Sequence, residues 1–125
     1  MTYVLIAGNR DYENKEEFFA LVDRDLKDVN DDIIIVEGGA KGADRLAKLY
    51  AVSHEYGHIR VNAQWNLLGK QAGPIRNLKM TDYVAMQEKS LAIFFWDGIS
   101  KGTGDCYSKA RKAGIKCIVH KVERK

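Results

Sequence analysis

Proline occurs once in this chain and cysteine twice, and no apolar run comes near the roughly 20 residues of a membrane-spanning helix. Cys106 and Cys117 are too few and too isolated for a disulfide framework or a paired metal site, which points to a reducing compartment. With one proline, no repeats and no low-complexity stretch, nothing reads as a linker, so a single domain over residues 1–125 is expected. The opening "MTYVLIAGNRDY" lacks a basic leader followed by a long apolar segment. Neither a signal peptide nor a membrane span is expected, and the location implied is cytoplasmic. A dominant charge is also missing. Twenty Lys and Arg against 17 Asp and Glu leave +3, mixed along the chain and too mild to imply a nucleic acid partner. His54, His58 and His120 lack metal spacing with carboxylates or thiols and read as surface or edge residues, so no metal and no cofactor is expected.

What is present is an alternation of hydrophobic periods. "TYVLIAG" (2–8), "DDIIIVEGG", the weaker "HIRVNA", "SLAIFFW" and "IKCIVH" read as five strands. The second and fourth are continuous apolar runs, as suits strands covered on both faces. Between them lie helical stripes. Asn14 and Glu17 stand in capping-box positions ahead of Phe18, Val22, Leu26 and Val29. Ala43, Leu46, Ala47, Tyr50 and Ala51 form a second stripe, which Gly57 is expected to close. A polar stretch from Trp65 to Gly73 leads to a helix starting at Pro74, with Arg76 and Asn77 in its first turn. A last helix over "TGDCYSKARKAG" stops at Gly114, with Cys106 packed on it and Cys117 in the core of the fifth strand. Strand–helix alternation predicts an α/β, Rossmann-like three-layer domain with a mainly parallel sheet of about five strands. Ligands of such sheets bind beyond the carboxyl ends of the strands.

Three of the loops that follow strands are glycine-rich and lead toward helix starts: "GNRDY", "EGGAKGAD" and "WDGISKGTGD". Helix starts offer unpaired N–H groups and partial positive charge, and glycine lets an anion approach them closely. Neither G-x-G-x-x-G nor a Gly-Lys-Ser/Thr phosphate loop is present, so the signal is the coincidence of three loops. Candidate ligand-binding residues are Gly8, Asn9 and Arg10; Gly38, Gly39, Ala40, Gly42 and Asp44; Arg76 and Asn77; and Lys101, Gly102, Thr103 and Gly104. Arg10 offers a charge-assisted clamp or a surface ion pair with Asp11 or Asp44. Asp44 either complements a helix dipole or accepts a ribose hydroxyl. Thr103 can cap the last helix and still reach a phosphate. Trp65 reads equally as a base-stacking ring or a loop anchor.

In order along the chain, "IAGNRDY", "VEGGAKGAD", "W-x₃-G-x₃-GPIRN-x₂-M" and "KGTGD-x₈-GI" resemble the successive motifs of the YspA-related branch of the SLOG superfamily. That resemblance implies a Rossmannoid fold and a pocket for a nucleotide or ADP-ribose-like phosphorylated molecule, serving a sensor or sequestering module. It also implies an alternative, since the superfamily includes the LOG phosphoribohydrolases, which cleave the base–ribose bond of nucleoside 5′-monophosphates. "RN-x₂-M" is similar to the LOG "RK-x₂-M", which puts Arg76 at a functional arginine. The LOG pattern P-G-G-x-G-T-x-x-E, however, meets "DGISKGTGDC" here, so Cys106 stands where the family's glutamate would be and Asp105 lies beside it. Arg76 and Asp105 are the catalytic candidates if the protein hydrolyses its ligand. DprA-like relatives suggest a second alternative, single-stranded nucleic acid binding, which the mixed charges disfavour. A homodimer is expected, as in LOG-type relatives.

Overall fold

The computed structural model describes residues 1–123. Five strands, β1 (Thr2–Gly8), β2 (Ile33–Glu37), β3 (Gly57–Arg60), β4 (Ser90–Trp96) and β5 (Cys117–Lys121), form one sheet in the order β3-β2-β1-β4-β5. Every neighbouring pair is parallel. Four long helices connect them: α1 (Lys15–Leu26), α2 (Ala43–Ser53), α4 (Ala72–Ala85) and α5 (Lys101–Lys112), with a short α3 (Trp65–Leu68) ahead of α4. The Rossmann-like three-layer arrangement read from the sequence is the one observed.

Period-two alternation within the buried strands divides the core. Val4, Ile6, Ile33, Ile35, Ile93 and Phe95 face α1 and α2, where Phe18, Val22, Leu46, Ala47 and Tyr50 meet them. Leu5, Ala7, Val36, Ala92 and Phe94 point the other way, onto Met80 and Val84 of α4 and Cys106 and Ala110 of α5. Continuous apolar runs thus follow from two covered faces. Phe18 stacks on Phe95 with ring centroids 4.5 Å apart, pinning α1 to the sheet centre.

Local chemistry sets the helix ends. Asn14 caps α1, its side-chain oxygen accepting from the Glu17 amide at 3.1 Å. The Glu17 carboxylate takes the Tyr12 hydroxyl at 2.8 Å. Gly114, at φ 83°, follows α5 as expected.

Several boundaries differ from the sequence reading. α2 ends at Ser53, and the chain turns at Glu55, with φ 56°. Gly57 opens β3 opposite Ile34, where a Cβ would sit 2.9 Å from an Ile34 methylene. The stretch 65–71 holds α3 and a 3₁₀ turn (Gly69–Gln71), and α4 starts at Ala72. Pro74 is still in the first turn, where its missing N–H has no intrahelical acceptor, but Arg76 and Asn77 fall in the second. Ser100 occupies the N-cap position of α5, so Thr103 is a buried residue inside the first turn and caps nothing. The three histidines are paired with carboxylates: His54 with Asp23 at 3.2 Å, His58 with Glu37 at 2.8 Å, and His120 with Asp25 at 2.6 Å. Cys106 is buried, while Cys117 is half-buried on the edge strand β5. Among the described residues no helix is long and apolar enough to cross a membrane.

Candidate functional site

The chain runs outward from β1 through β2 to β3, then returns to lay β4 on the other side of β1. The strand order therefore reverses between β1 and β4. A hollow of about 600 Å³ opens near the carboxyl end of β1, a volume within the ordinary range of small-molecule sites. Four segments of the chain wall it: Ala7 and Gly8 at the end of β1 with Arg10 beyond; Gly38, Gly39, Ala40 and Asp44 after β2; Asn62, Ala63 and Trp65 with residues of α4 between Gly73 and Met80; and Ser100 to Cys106, Gly104 excepted, at the start of α5.

Most of the residues singled out in the sequence meet here. Gly8, Arg10, Gly38, Gly39, Ala40, Asp44, Arg76, Asn77, Lys101, Gly102, Thr103 and Asp105 all line the hollow. Asn9, Gly42 and Gly104 do not. Asn9 is buried, its side-chain oxygen accepting from the Asp97 amide at 3.3 Å and its carbonyl from Ala43 at 3.2 Å. Gly42 has φ 76°, and a Cβ there would lie 2.3 Å from the Asn9 carbonyl oxygen. Gly104 lets Trp96 lie against α5, where a Cβ would meet the indole at 2.9 Å. These three hold the loops together from behind.

The starts of α2 and α5, like that of α4, border the hollow without a side-chain cap. They differ in charge. α2 carries Asp44 in its first turn, and that carboxylate accepts from the Ala40 amide at 3.2 Å. α5 has no acid in its first turn and begins with the exposed Lys101. The α5 start is therefore the more anion-attracting of the two. Asp97 shapes its approach, accepting from the Ile99 and Ser100 amides at 2.8 Å each.

Asp44 is 5% exposed, and burial pushes its carboxyl up to about 6, with Glu37 adding to the shift. Backbone amides and the Arg76 guanidinium pull in the opposite direction without cancelling it. Arg76 donates through Nη1 to the Gly38 carbonyl and through Nε to Asn77 Oδ1 at 2.8 Å. A Cβ on Gly38 would fall 2.6 Å from Arg76 Nη1, so a side chain there would displace the guanidinium from its seat. Two of its five donors are engaged by these bonds.

Asp105 is engaged differently. Lys109 Nζ lies 2.7 Å from both carboxylate oxygens, and Asn77 Nδ2 donates to one of them at 3.0 Å. The same ammonium reaches the Pro74 carbonyl at 3.2 Å, so the group staples α5 to the start of α4. Cys106 is buried beside it, and burial with the neighbouring Asp44 charge pushes its thiol up to about 12. It is a poor nucleophile.

Two features escaped the sequence reading. Glu37, wholly buried at the end of β2, accepts from Arg60 Nε at 2.7 Å, His58 Nε2 at 2.8 Å and the Gly39 amide, so it fixes the start of the glycine loop. The signal was His58 and Arg60 two apart on one face of β3, beside a strand that ends in an acid. The other is the wall formed by Asn62 and Ala63, which carry no charge or motif to mark them, with Gly73, Pro74 and Ser100, which stand inside motifs read from the sequence but were not singled out as site residues. Trp65 joins this wall with half its surface exposed. Among the described residues no cluster of His, Cys, Asp and Glu is arranged to hold a metal ion.

A family model described as YspA, cpYpsA-related SLOG family matches residues 2–67. Over 123 residues the chain is 32% identical to the Gene 61 protein of Mycobacterium phage D29, covering 94% of this chain and 95% of that protein. No solved structure matches significantly. The family match takes in the loops after β1 and β2 and stops short of Arg76 and the α5 start.

Proposed function

Since this chain belongs to the YspA, cpYpsA-related SLOG family, we propose that it binds a nucleotide or ADP-ribose-like ligand in the hollow beside β1, as a sensor or sequestering module. One observation carries this reading: two helix starts without side-chain caps open onto a single hollow together with Arg10, Arg76 and Lys101. The acid-free start of α5 suits a phosphate. Asp44, held at the start of α2, suits a sugar hydroxyl, which can donate to it.

Native mass spectrometry of the purified protein tests the proposal by looking for a retained phosphorylated small molecule. In titrations with adenosine 5′-monophosphate and ADP-ribose, Arg76→Ala should weaken binding at least tenfold, since hydrogen bonds to charged groups are worth about 1.5–3 kcal/mol. Arg76→Lys should not restore it, because a lysine cannot hold Gly38 and Asn77 and still face a ligand. Calorimetry silent for both ligands would end the reading.

The hydrolase alternative draws its support from Asp44. A carboxyl titrating near 6 inside the hollow is suited to proton transfer, whereas Asp105 is occupied by Lys109 and Asn77. Incubation with nucleoside 5′-monophosphates would release free base under this reading. The release should vanish in Asp44→Asn and survive in Asp105→Asn. Assembly as a homodimer is also part of the proposal; exposed Leu67, Leu78 and Met86 offer apolar surface for it, and sedimentation equilibrium reads the mass directly.

A further inference from the structure

The segment from Trp65 to Gln71 poses a problem of its own. Neither α3 nor the 3₁₀ turn after it contributes a buried side chain. A segment that adds nothing to the core has no folding need for a tryptophan, yet Trp65 stands there with 50% of its surface exposed, in the wall of the hollow. The other tryptophan differs. Trp96 donates its indole N–H to the Ser100 carbonyl at 3.0 Å and packs against Gly104 and Tyr107. Trp96 is built into the fold, and Trp65 is built onto the site.

The ring is also held. Gly73, buried in the first turn of α4, lies directly against it; a Cβ there would come 3.1 Å from the indole Cη2 and 3.7 Å from Cζ2. The helix start thus backs the ring. Ala63, Gly73 and Pro74 line the hollow with the ring and bring no charge, while Lys101 and the bare amides of α5 supply positive potential to the same lining. The hollow accordingly combines an aromatic ring with cationic groups, with Asp44 and Arg76 also in its lining.

We propose that Trp65 is a platform on which a nucleobase stacks, so that the hollow prefers base-bearing nucleotides to sugar phosphates. This rests on the nucleotide-type reading above and narrows it. An aromatic ring backed by the chain on one side and half open to solvent suits base stacking, because every base has a π-face to offer.

The test compares adenosine 5′-monophosphate with ribose 5-phosphate, which keeps the phosphate and sugar but lacks the base. Wild-type protein should bind the nucleotide between about fivefold and a hundredfold more tightly, the range that stacking one base provides. Trp65→Ala should erase that gap and leave ribose 5-phosphate affinity within about twofold of wild type. Trp65→Phe, which keeps a ring and safeguards folding, should retain most of the gap. In Trp96→Phe, whose remaining indole is Trp65, the nucleotide should quench the fluorescence; in Trp65→Phe the signal should stay flat. Equal wild-type affinities for the two ligands, or a Trp65→Ala loss shared equally between them, would overturn the platform and leave the phosphate-binding reading standing. If wild-type protein binds neither, both fall together.

Discussion

Asp44 carries the clearest single-residue prediction. Its carboxyl titrates at about 6 in the fold against an ordinary 3.8, because burial penalises the charged form. A carboxyl raised on folding contributes stability below its unfolded value and loses it as pH rises through the folded one. The window is therefore pH 4 to 7, and a shift of about two units corresponds to roughly 3 kcal/mol. Urea denaturation of Asp44→Asn beside wild type should show the variant gaining relative stability across that window, by up to about that amount. A constant difference would refute the burial argument. At this scale the sequence was legible where chemistry is local and opaque where it is shared. Asp44 was visible as an acid at a helix start, but its depth was not. Asp105 was a catalytic candidate only as a carboxylate beside the position of the family's glutamate, and Lys109 and Asn77 hold its oxygens. The first of those lies four residues on and the second on another helix. Glu37 ended a strand inconspicuously because its partners come from β3.

Among elements, the connections decide most. Gly42 joins β2 to α2 at φ 76°, pressed against the Asn9 and Arg10 carbonyls. Gly42→Ala adds a methyl with no room and a disfavoured backbone, so destabilisation of at least about 3 kcal/mol is expected by chemical denaturation. By contrast Asn14→Ala removes one cap from an exposed helix start and should cost about 1 kcal/mol. Strand positions were readable because an apolar run covered on both faces has few alternatives. The α2–β3 turn was not. Glycine at 57 looked like a helix stop, but its small size is used against Ile34 and the positive φ falls on Glu55. The start of α4 was missed for a related reason. Proline marks a first turn without specifying which residue of it, and α3 is too short for periodicity to register.

For the molecule as a whole, one sheet sandwiched between two helix pairs shares its central strands with both halves of the core. Unfolding should therefore be a single cooperative transition, with circular dichroism and tryptophan fluorescence giving coincident curves. A ligand at one hundred times its dissociation constant should add about 2.7 kcal/mol to that stability, visible as a higher melting temperature. Probes that disagree would mean the two faces come apart separately.

The surface strip from Trp65 to Gln71 stands outside both halves of the core. Substitutions at its exposed positions are expected to leave the sheet and its two core faces intact, because no side chain of the strip is buried there. On the proposed reading, base preference and anion grip reside on different segments of the chain, so editing a few solvent-facing positions of this strip should alter the first and spare the second.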